Sequence, residues 1–331
     1  MKAKILLTLL LIILMPAISA AQLFPNLGGQ RTGTTSLQFL KIGTSARATG
    51  MGESFVAVSD DITSLHYNPS GLVAFENNGI TASYTQWFVD TKLANFGAVY
   101  HFGGNNAIGL NITSLQTEDM KVTTEYQPTG TGEYFRFSDL NIGLSYARQM
   151  TDQFSFGATI KYVREDLGEL KIDGILGDLA TSYRTGLGTS RFGIMISNFG
   201  GQLSPSGSVT LVNGNTVNSF QKFPPPTLFQ LGFAIEPILN KENRLTTSVQ
   251  LNSPTDNAEN LHFGLEYAYK EFLFFRGGYK LNVDSENFSA GVGAKTVISF
   301  AHANFDYSLA NYKELGISHR FTLNILFPNF K

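Results

Sequence analysis

The chain contains no cysteine, which excludes both a disulfide framework and a lipid-modified N-terminal cysteine. Charge is scarce: Asp, Glu, Lys and Arg make up 15% of the 331 residues, against roughly 25% in ordinary soluble domains. With 24 basic and 26 acidic side chains the net charge is −2. That leaves no basic field for nucleic acid and no acidic field for cations. Beyond the first 21 residues there is no apolar run long enough for a membrane helix, which takes about 20 residues. The five histidines (His66, His101, His262, His302, His319) are dispersed. Without HExxH or paired-cysteine spacing, no metal site is expected. Gly50-Met51-Gly52 lacks the third glycine and the βαβ surroundings of a dinucleotide fingerprint. The run starting at Gly43 lacks the Gly-Lys-Ser/Thr ending of a phosphate loop. No spacing singles out a Ser/His/Asp triad. Neither a cofactor nor a catalytic residue is expected, so an enzyme is disfavoured.

What is present is glycine (33), phenylalanine (27) and tyrosine (13). Together with few charges and no long apolar run, this is the composition of a transmembrane β-barrel, although a soluble β-sandwich shares some of it. At the N-terminus, Lys2 and Lys4 precede an apolar core at residues 5–15 and small residues at 17–21. Residues 1–20 therefore read as a secretory signal peptide, removed between Ser19 and Gln22. Any membrane crossing by the exported protein must be made by strands.

From Gly79 onward, fourteen segments alternate with period two, at roughly 79–89, 94–102, 107–116, 138–149, 154–164, 176–183, 190–198, 228–236, 244–252, 260–269, 272–279, 287–295, 298–309 and 316–326. In 140–146, Leu140, Ile142, Leu144 and Tyr146 oppose Asn141, Gly143 and Ser145. In 261–269, Leu261, Phe263, Leu265, Tyr267 and Tyr269 oppose His262, Gly264 and Glu266. The polar set suits a wet lumen; a sandwich would bury one face of each sheet. Aromatics near strand ends (Trp87, Phe88, Phe102, Tyr162, Tyr269, Tyr279, Tyr307, Phe327) suit the headgroup level. Short connections at 103–106, 149–153, 184–189, 237–243, 270–271 and 296–297 alternate with longer ones at 117–137, 165–175, 199–227, 253–259, 280–286 and 310–315. Outer-membrane barrels have short periplasmic turns and longer external loops. The connection at 90–93 is external by parity yet short. The expectation is an all-β, fourteen-stranded antiparallel transmembrane β-barrel over residues 79–331, embedded in outer-membrane lipid. In the loop at 199–227, Phe223, Pro224, Pro225 and Pro226 form a stiff stretch with backbone donors removed. It is either a rim contact for a protein partner or a rigid spacer re-entering the eighth strand.

Residues 37–75 read as neither strand nor linker. Small residues, Gly50 and Gly52 among them, allow close backbone approach. Residues 55–58 alternate briefly. Asp60 and Asp61 can cap a short helix over 62–67, and Asn68 before Pro69 ends it. Residues 21–78 are expected to form a plug or hatch inside, or across the mouth of, the barrel. Its charges, Arg47, Glu53, Asp60 and Asp61, could pair with strand residues such as Lys161, Glu266, Lys295 or Arg320. They are either a latch or groups solvated in a wet pore.

The stretch FLKIGTSARATGMGESFVAVSDD followed by YNPSGL, within residues 39–72, resembles the N-terminal signature of the PorV/PorQ family. Those proteins are FadL-like fourteen-stranded barrels of the bacterial outer membrane. Asn68-Pro69-Ser70-Gly71 is similar to the Asn-Pro-Ala-Gly of FadL-type barrels, with serine for alanine. The resemblance implies a hatch in the lumen and one of two roles. PorV-like members serve type IX secretion, binding exported cargo and associating with the large translocon barrel. FadL-like relatives pass a hydrophobic small ligand through the barrel wall. No cargo-binding residue carries over, because the external loops hold no matching motif.

Overall fold

The computed structural model describes residues 33–211, 213–298 and 301–327; the expected signal peptide lies outside these. Fourteen long strands form one closed antiparallel sheet. They are β1 (Asn78–Gln86), β2 (Lys92–Phe102), β3 (Asn106–Gln116), β4 (Ser138–Gln149), β5 (Phe154–Asp166), β6 (Leu170–Arg184) and β7 (Arg191–Gly200). The second half comprises β8 (Leu228–Leu239), β9 (Asn243–Pro254), β10 (Asn260–Tyr269), β11 (Leu273–Leu281), β12 (Phe288–Ile298), β13 (Ala301–Asn311) and β14 (Ile317–Phe327). Each strand pairs with its sequence neighbours, and β1 closes the ring on β14 from Asn78↔Phe327 to Gln86↔His319. Closure leaves no open sheet edge, as a membrane-spanning sheet requires.

The alternation reads directly as inside and outside. On β4, Asn141 and Ser145 are buried while Ile142, Leu144 and Tyr146 are exposed. On β10, His262 and Glu266 are buried while Phe263, Leu265 and Tyr267 are exposed. Apolar side chains thus cover the outer wall and polar ones line the lumen, the reverse of a water-soluble protein. Lipid solvates that outer face, so exposing it carries no hydrophobic penalty in a bilayer.

Two expectations about connections need correction. The loop at 165–175 is mostly strand: β5 runs to Asp166 and β6 begins at Leu170, because Ile172 finds a buried lumenal seat. The external connections are therefore not uniformly long. Only residues 117–137 and 201–227 form extended loops. The first closes on itself by pairing Met120–Lys121 with Tyr134–Phe135. The second pairs Ser206–Gly207 with the start of β6 and folds a small hairpin of Val209–Thr210 with Thr216–Val217. A third correction concerns Trp87, which like Phe88 is expected in the headgroup belt. They gather with Tyr312 at ring distances of 4.9–5.1 Å, and Trp87 lines an internal cavity.

Candidate functional site: the occupied lumen

Residues 34–75 run through the barrel from its external end to the start of β1. They contain a 3-10 turn at Gln38–Lys41, α1 (Ala46–Gly50), α2 (Ser64–Tyr67) and a second 3-10 turn at Pro69–Val73. Residues 55–58, which alternate in sequence, form a turn instead of a strand: Val58 N and Ser59 N both donate to Phe55 O, at 3.0 and 2.9 Å. Phe55, Val56, Ala57 and Val58 are all buried. With wall on every side, the alternation selects no face.

So little regular structure leaves many backbone groups without internal partners, and each would be costly if buried unpaired. Wall side chains meet them. Gln250 Oε1 accepts from Phe55 N and Val56 N, both at 2.9 Å. Ser248 donates to Ser54 O at 2.7 Å, and Arg191 Nε donates to Ala57 O at 2.9 Å. Thr322 Oγ1 accepts from Ala46 N at 2.9 Å and Ser289 Oγ from Gly52 N at 3.1 Å. Inward-facing polar residues, which sequence reading assigns only to a wet lumen, are in fact a template for this segment.

Glycines provide the close approach. Gly52 has φ +63°, a left-handed conformation that costs glycine little. A Cβ there would meet Tyr279 N at 2.9 Å and Gly278 Cα at 3.1 Å. One on Gly50 would sit 3.1 Å from Gly291 Cα. The wall glycines are thus as necessary as those in the segment, a pairing invisible in a single sequence.

Apolar contacts close both ends. Externally, Leu37, Phe39 and Leu40 pack with Leu93, Leu115, Val163 and Leu176 of the wall. Toward β1, Ile62, Leu65 and Leu72 pack with Val99, Ala107 and Ala147. Each large side chain so buried contributes about 1.5–3 kcal/mol.

Between these seals lies an ionic band. Arg47 grips Glu266 with Nε and a terminal nitrogen, at 2.8 and 2.9 Å. Its other terminal nitrogen reaches Asp60 at 2.5 Å and Asp61 at 2.7 Å. Glu266 also accepts from Arg276 at 2.7 Å and lies 3.3 Å from Arg244; Arg276 continues to Asp306 at 2.6 Å. The Glu266 side chain is 0% exposed, so this carboxylate is sustained by three guanidinium groups. Burial alone would push the Asp60 carboxyl up, but the attraction of Arg47 prevails and holds it below the usual range. Nearer the external end, Lys280 binds Glu53 at 2.9 Å and Glu286 at 2.5 Å. Burial raises the Glu53 carboxyl, and Lys280, then Arg320, overcome this to hold it at about 2.

Of the expected strand partners, Glu266 alone pairs with the segment. Lys161 instead binds Asp178 at 2.6 Å, inside the wall, where the β6–β7 register shifts between Gly177 and Leu179. Arg320 bonds Thr85 at 2.7 Å, and Lys295 has no ion pair among the described residues. Sequence reading missed Lys280, Arg276 and Gln250, all placed by strand parity on the inner face. The expected helix is shorter, Ser64–Tyr67, and Asp61 accepts from Thr63 N at 2.8 Å while Asp60 turns to Arg47. Asn68 donates to Val56 O at 2.7 Å and accepts from Ser70 N at 3.0 Å. Pro69 ends α2 and opens the next 3-10 turn, whose missing N–H is an unused donor at that position. In the loop at 201–227, Phe223 exchanges backbone hydrogen bonds with Leu203 at 2.7 and 2.8 Å. Pro224 O accepts from Ser36 N at 3.2 Å, while Pro225 and Pro226 are buried. Among the described residues no three His, Asp or Glu side chains cluster as a metal site.

The described residues enclose two cavities that bear on the site. One of about 560 Å³ lies at the short-turn end, lined by Asp60, Arg184, Arg191, Glu236 and Arg244 among others. A second of about 320 Å³ lies under the external connections and is lined by Glu53, Trp87, Gln250, Asn252, Lys280 and Tyr312 among others. They share no lining residue.

Residues 26–256 match the family described as type IX secretion system protein PorV. The chain belongs to the PorV family. This family and the fold make it a bacterial outer-membrane β-barrel of type IX secretion. Solved structures of similar fold include the Ralstonia pickettii toluene transporter TbuX, at TM-score 0.56 and 16% identity over 86% of this chain and 97% of that one. The Pseudomonas putida toluene transporter TodX aligns at 0.54 and 13%, over 86% and 96%. A Pseudomonas aeruginosa FadL homologue aligns at 0.54 and 11%, over 86% and 98%. These likenesses establish a shared barrel architecture for the PorV-family chain. No curated protein matches its sequence.

Proposed function

We propose that this PorV-family barrel is a docking component, with no reaction of its own, that holds exported cargo or the translocon through its external rim. Residues 21–78 act as a plug that closes the lumen. The observation that carries this reading is the contrast between interior and rim. The lumen holds a hydrogen-bonded, ion-paired segment, and the two cavities beside it share no lining residue. The external connections instead carry exposed apolar groups, with Tyr126 92% and Val89 90% exposed and Leu315, Tyr134 and Phe135 also open. Exposed aromatic and aliphatic anchors are what a protein interface draws on. The partner-contact role expected of Phe223 to Pro226 is narrowed to Phe223 and Pro224, which are half-buried, while Pro225 and Pro226 are buried.

Affinity purification of the tagged barrel from its native outer membrane tests the reading. Co-recovery of a very large barrel and of exported proteins is expected, and Tyr126→Asp with Tyr134→Asp should reduce it. A solitary barrel carrying lipid or an aromatic compound would overturn it.

The second reading, a transporter of hydrophobic small molecules, is favoured by the toluene transporters among the structural neighbours. The external cavity argues against it, since amides, lysines and carboxylates make up much of its lining, whereas apolar ligands need mainly apolar walls.

A further inference from the structure

The external cavity has a chemistry that neither docking nor hydrophobic transport uses. Its charges are paired. Lys41 binds Asp256 at 2.8 Å, Lys161 binds Asp178 at 2.6 Å, and Lys280 sits between Glu53 and Glu286. Each lysine and each carboxylate that lines it thus already has an opposite charge against it. His66 is neutral, because burial, then Lys161, lowers it to about 3. A charged ligand would find no unpaired lysine or carboxylate among the lining residues, and burying a charge unpaired is costly.

What remains is a ladder of amides on the inner faces of β8, β9 and β10. Asn252 Oδ1 accepts from Gln250 at 2.7 Å and from Gln230 at 3.3 Å, while Asn252 Nδ2 donates to Asn260 Oδ1 at 3.0 Å. These bonds fix which end of each amide is spent. Gln230 keeps its carbonyl oxygen and Asn260 its NH₂ group, an acceptor and a donor held by the same neighbour. A hydroxyl group matches both, since it donates and accepts at once. His66 Nδ1 adds a buried ring nitrogen with no partner among the described residues. Trp87 and Tyr312, 5.1 Å apart, add aromatic surface to the lining of the same cavity.

We propose that this cavity binds a neutral carbohydrate unit. Alternating hydroxyls meet the free amide groups, and the apolar face of the ring lies against the aromatic pair. The volume of about 320 Å³ is at the lower end for ligand pockets, roughly 300–1,000 Å³, which suits one or two sugar rings. An extended peptide fits less well. The floor is closed by the segment at Glu53 and Tyr67, so a peptide could enter only by a terminus, and a terminus is charged. The site stands whether or not the rim docks a cargo domain.

The chain has a single tryptophan, and it is Trp87, so intrinsic fluorescence reports directly on this cavity. The full chain, folded in a zwitterionic detergent that carries no sugar, is titrated with glucose, galactose, mannose, N-acetylglucosamine and maltose. A saturable change in emission with at least one of them at millimolar concentration is expected. Gln230→Leu and Asn260→Leu should each weaken it roughly fivefold, the effect of one lost hydrogen bond. Heat-modifiable gel mobility checks that both variants remain closed barrels, and saturation-transfer NMR reads binding without the tryptophan. No saturable response to any of the five sugars overturns the proposal. So do unchanged affinities in both folded variants, or a response to toluene or to a capped tripeptide alone.

Discussion

Replacing Arg47 with methionine would separate the two structural roles of the lumen's ionic band. The substitution keeps most of the stem and removes the fork that joins Glu266 to Asp60 and Asp61. Breaking a buried ion pair from one side costs about 3–5 kcal/mol when a bare charge is left behind. Here Glu266 keeps Arg276 at 2.7 Å and Arg244 at 3.3 Å, so the loss should be smaller. The Asp60 side chain is 36% exposed and its pair is discounted toward the surface value of about 0–1 kcal/mol. We expect about 2–3 kcal/mol, which corresponds to a roughly 30- to 150-fold larger detached population. That energy holds residues 43–62 in place; the fourteen-strand ladder does not depend on it. Hydrogen exchange is the assay. The amides of Thr49, Met51 and Glu53 bond to Ser45 O, Arg47 O and Ala48 O and should exchange faster by that factor. Strand amides should be unchanged. Arg47→Lys should fall between, since an ammonium keeps the charge but not the fork. Unchanged exchange across 46–53 in a folded Arg47→Met barrel would refute the reasoning. Equal acceleration in the strands would show that the band holds the wall.

Further outcomes follow from the same geometry. Gly52→Val places a branched side chain at φ +63° against Tyr279 N and Gly278 Cα; it should displace the segment and raise single-channel conductance in planar bilayers above the parent's. Asn68→Ala removes the amide bonded to Val56 O and Ser70 N, and should cost about 1–3 kcal/mol, read as faster proteolysis within 56–70. Acid should loosen the external half of the segment. The Glu53 carboxyl, held at about 2, contributes stability that is fully present above its unfolded value near 4.5 and lost as pH falls through 2. His66, lowered to about 3, acts in the same direction from about 6.5 downward. Protection factors near residues 53–67, corrected for the intrinsic exchange rate, should therefore fall as pH drops from 6 to 2, and Lys280→Met should move the carboxylate part of that fall to higher pH. On the outer wall, Ile160→Arg, at a site 68% exposed to lipid, should cost about 2–4 kcal/mol near the bilayer midplane and lower the folded fraction in vesicles.

Strand positions were legible because a membrane barrel imposes one rule on every strand: apolar toward lipid, polar toward the lumen. Leu144 against Ser145 and Leu265 against Glu266 carry that rule in the bare sequence. Boundaries were less legible. Residues 170–175 read as loop because Asp173 and Gly174 interrupt the pattern, yet they extend β6. In residues 37–75 the glycines and charges marked something other than a strand, but their partners on the wall lie more than 200 residues away. Arg47 to Glu266 and Glu53 to Lys280 are joined by the barrel's curvature, which no local pattern encodes. Trp87 was misread for a related reason. An aromatic at a strand end can turn toward lipid or lumen, and packing on Tyr312 decides which.

Alternation, composition and the residues 39–72 signature by themselves determined a fourteen-stranded barrel of the PorV type. Each depends on a local repeat or a contiguous motif that survives without coordinates. Tertiary structure alone decided what fills the barrel and how. A carboxylate on β10 becomes an anchor only when closure brings it to a guanidinium from the N-terminal segment. An amide ladder becomes a binding surface only when β8, β9 and β10 lie side by side.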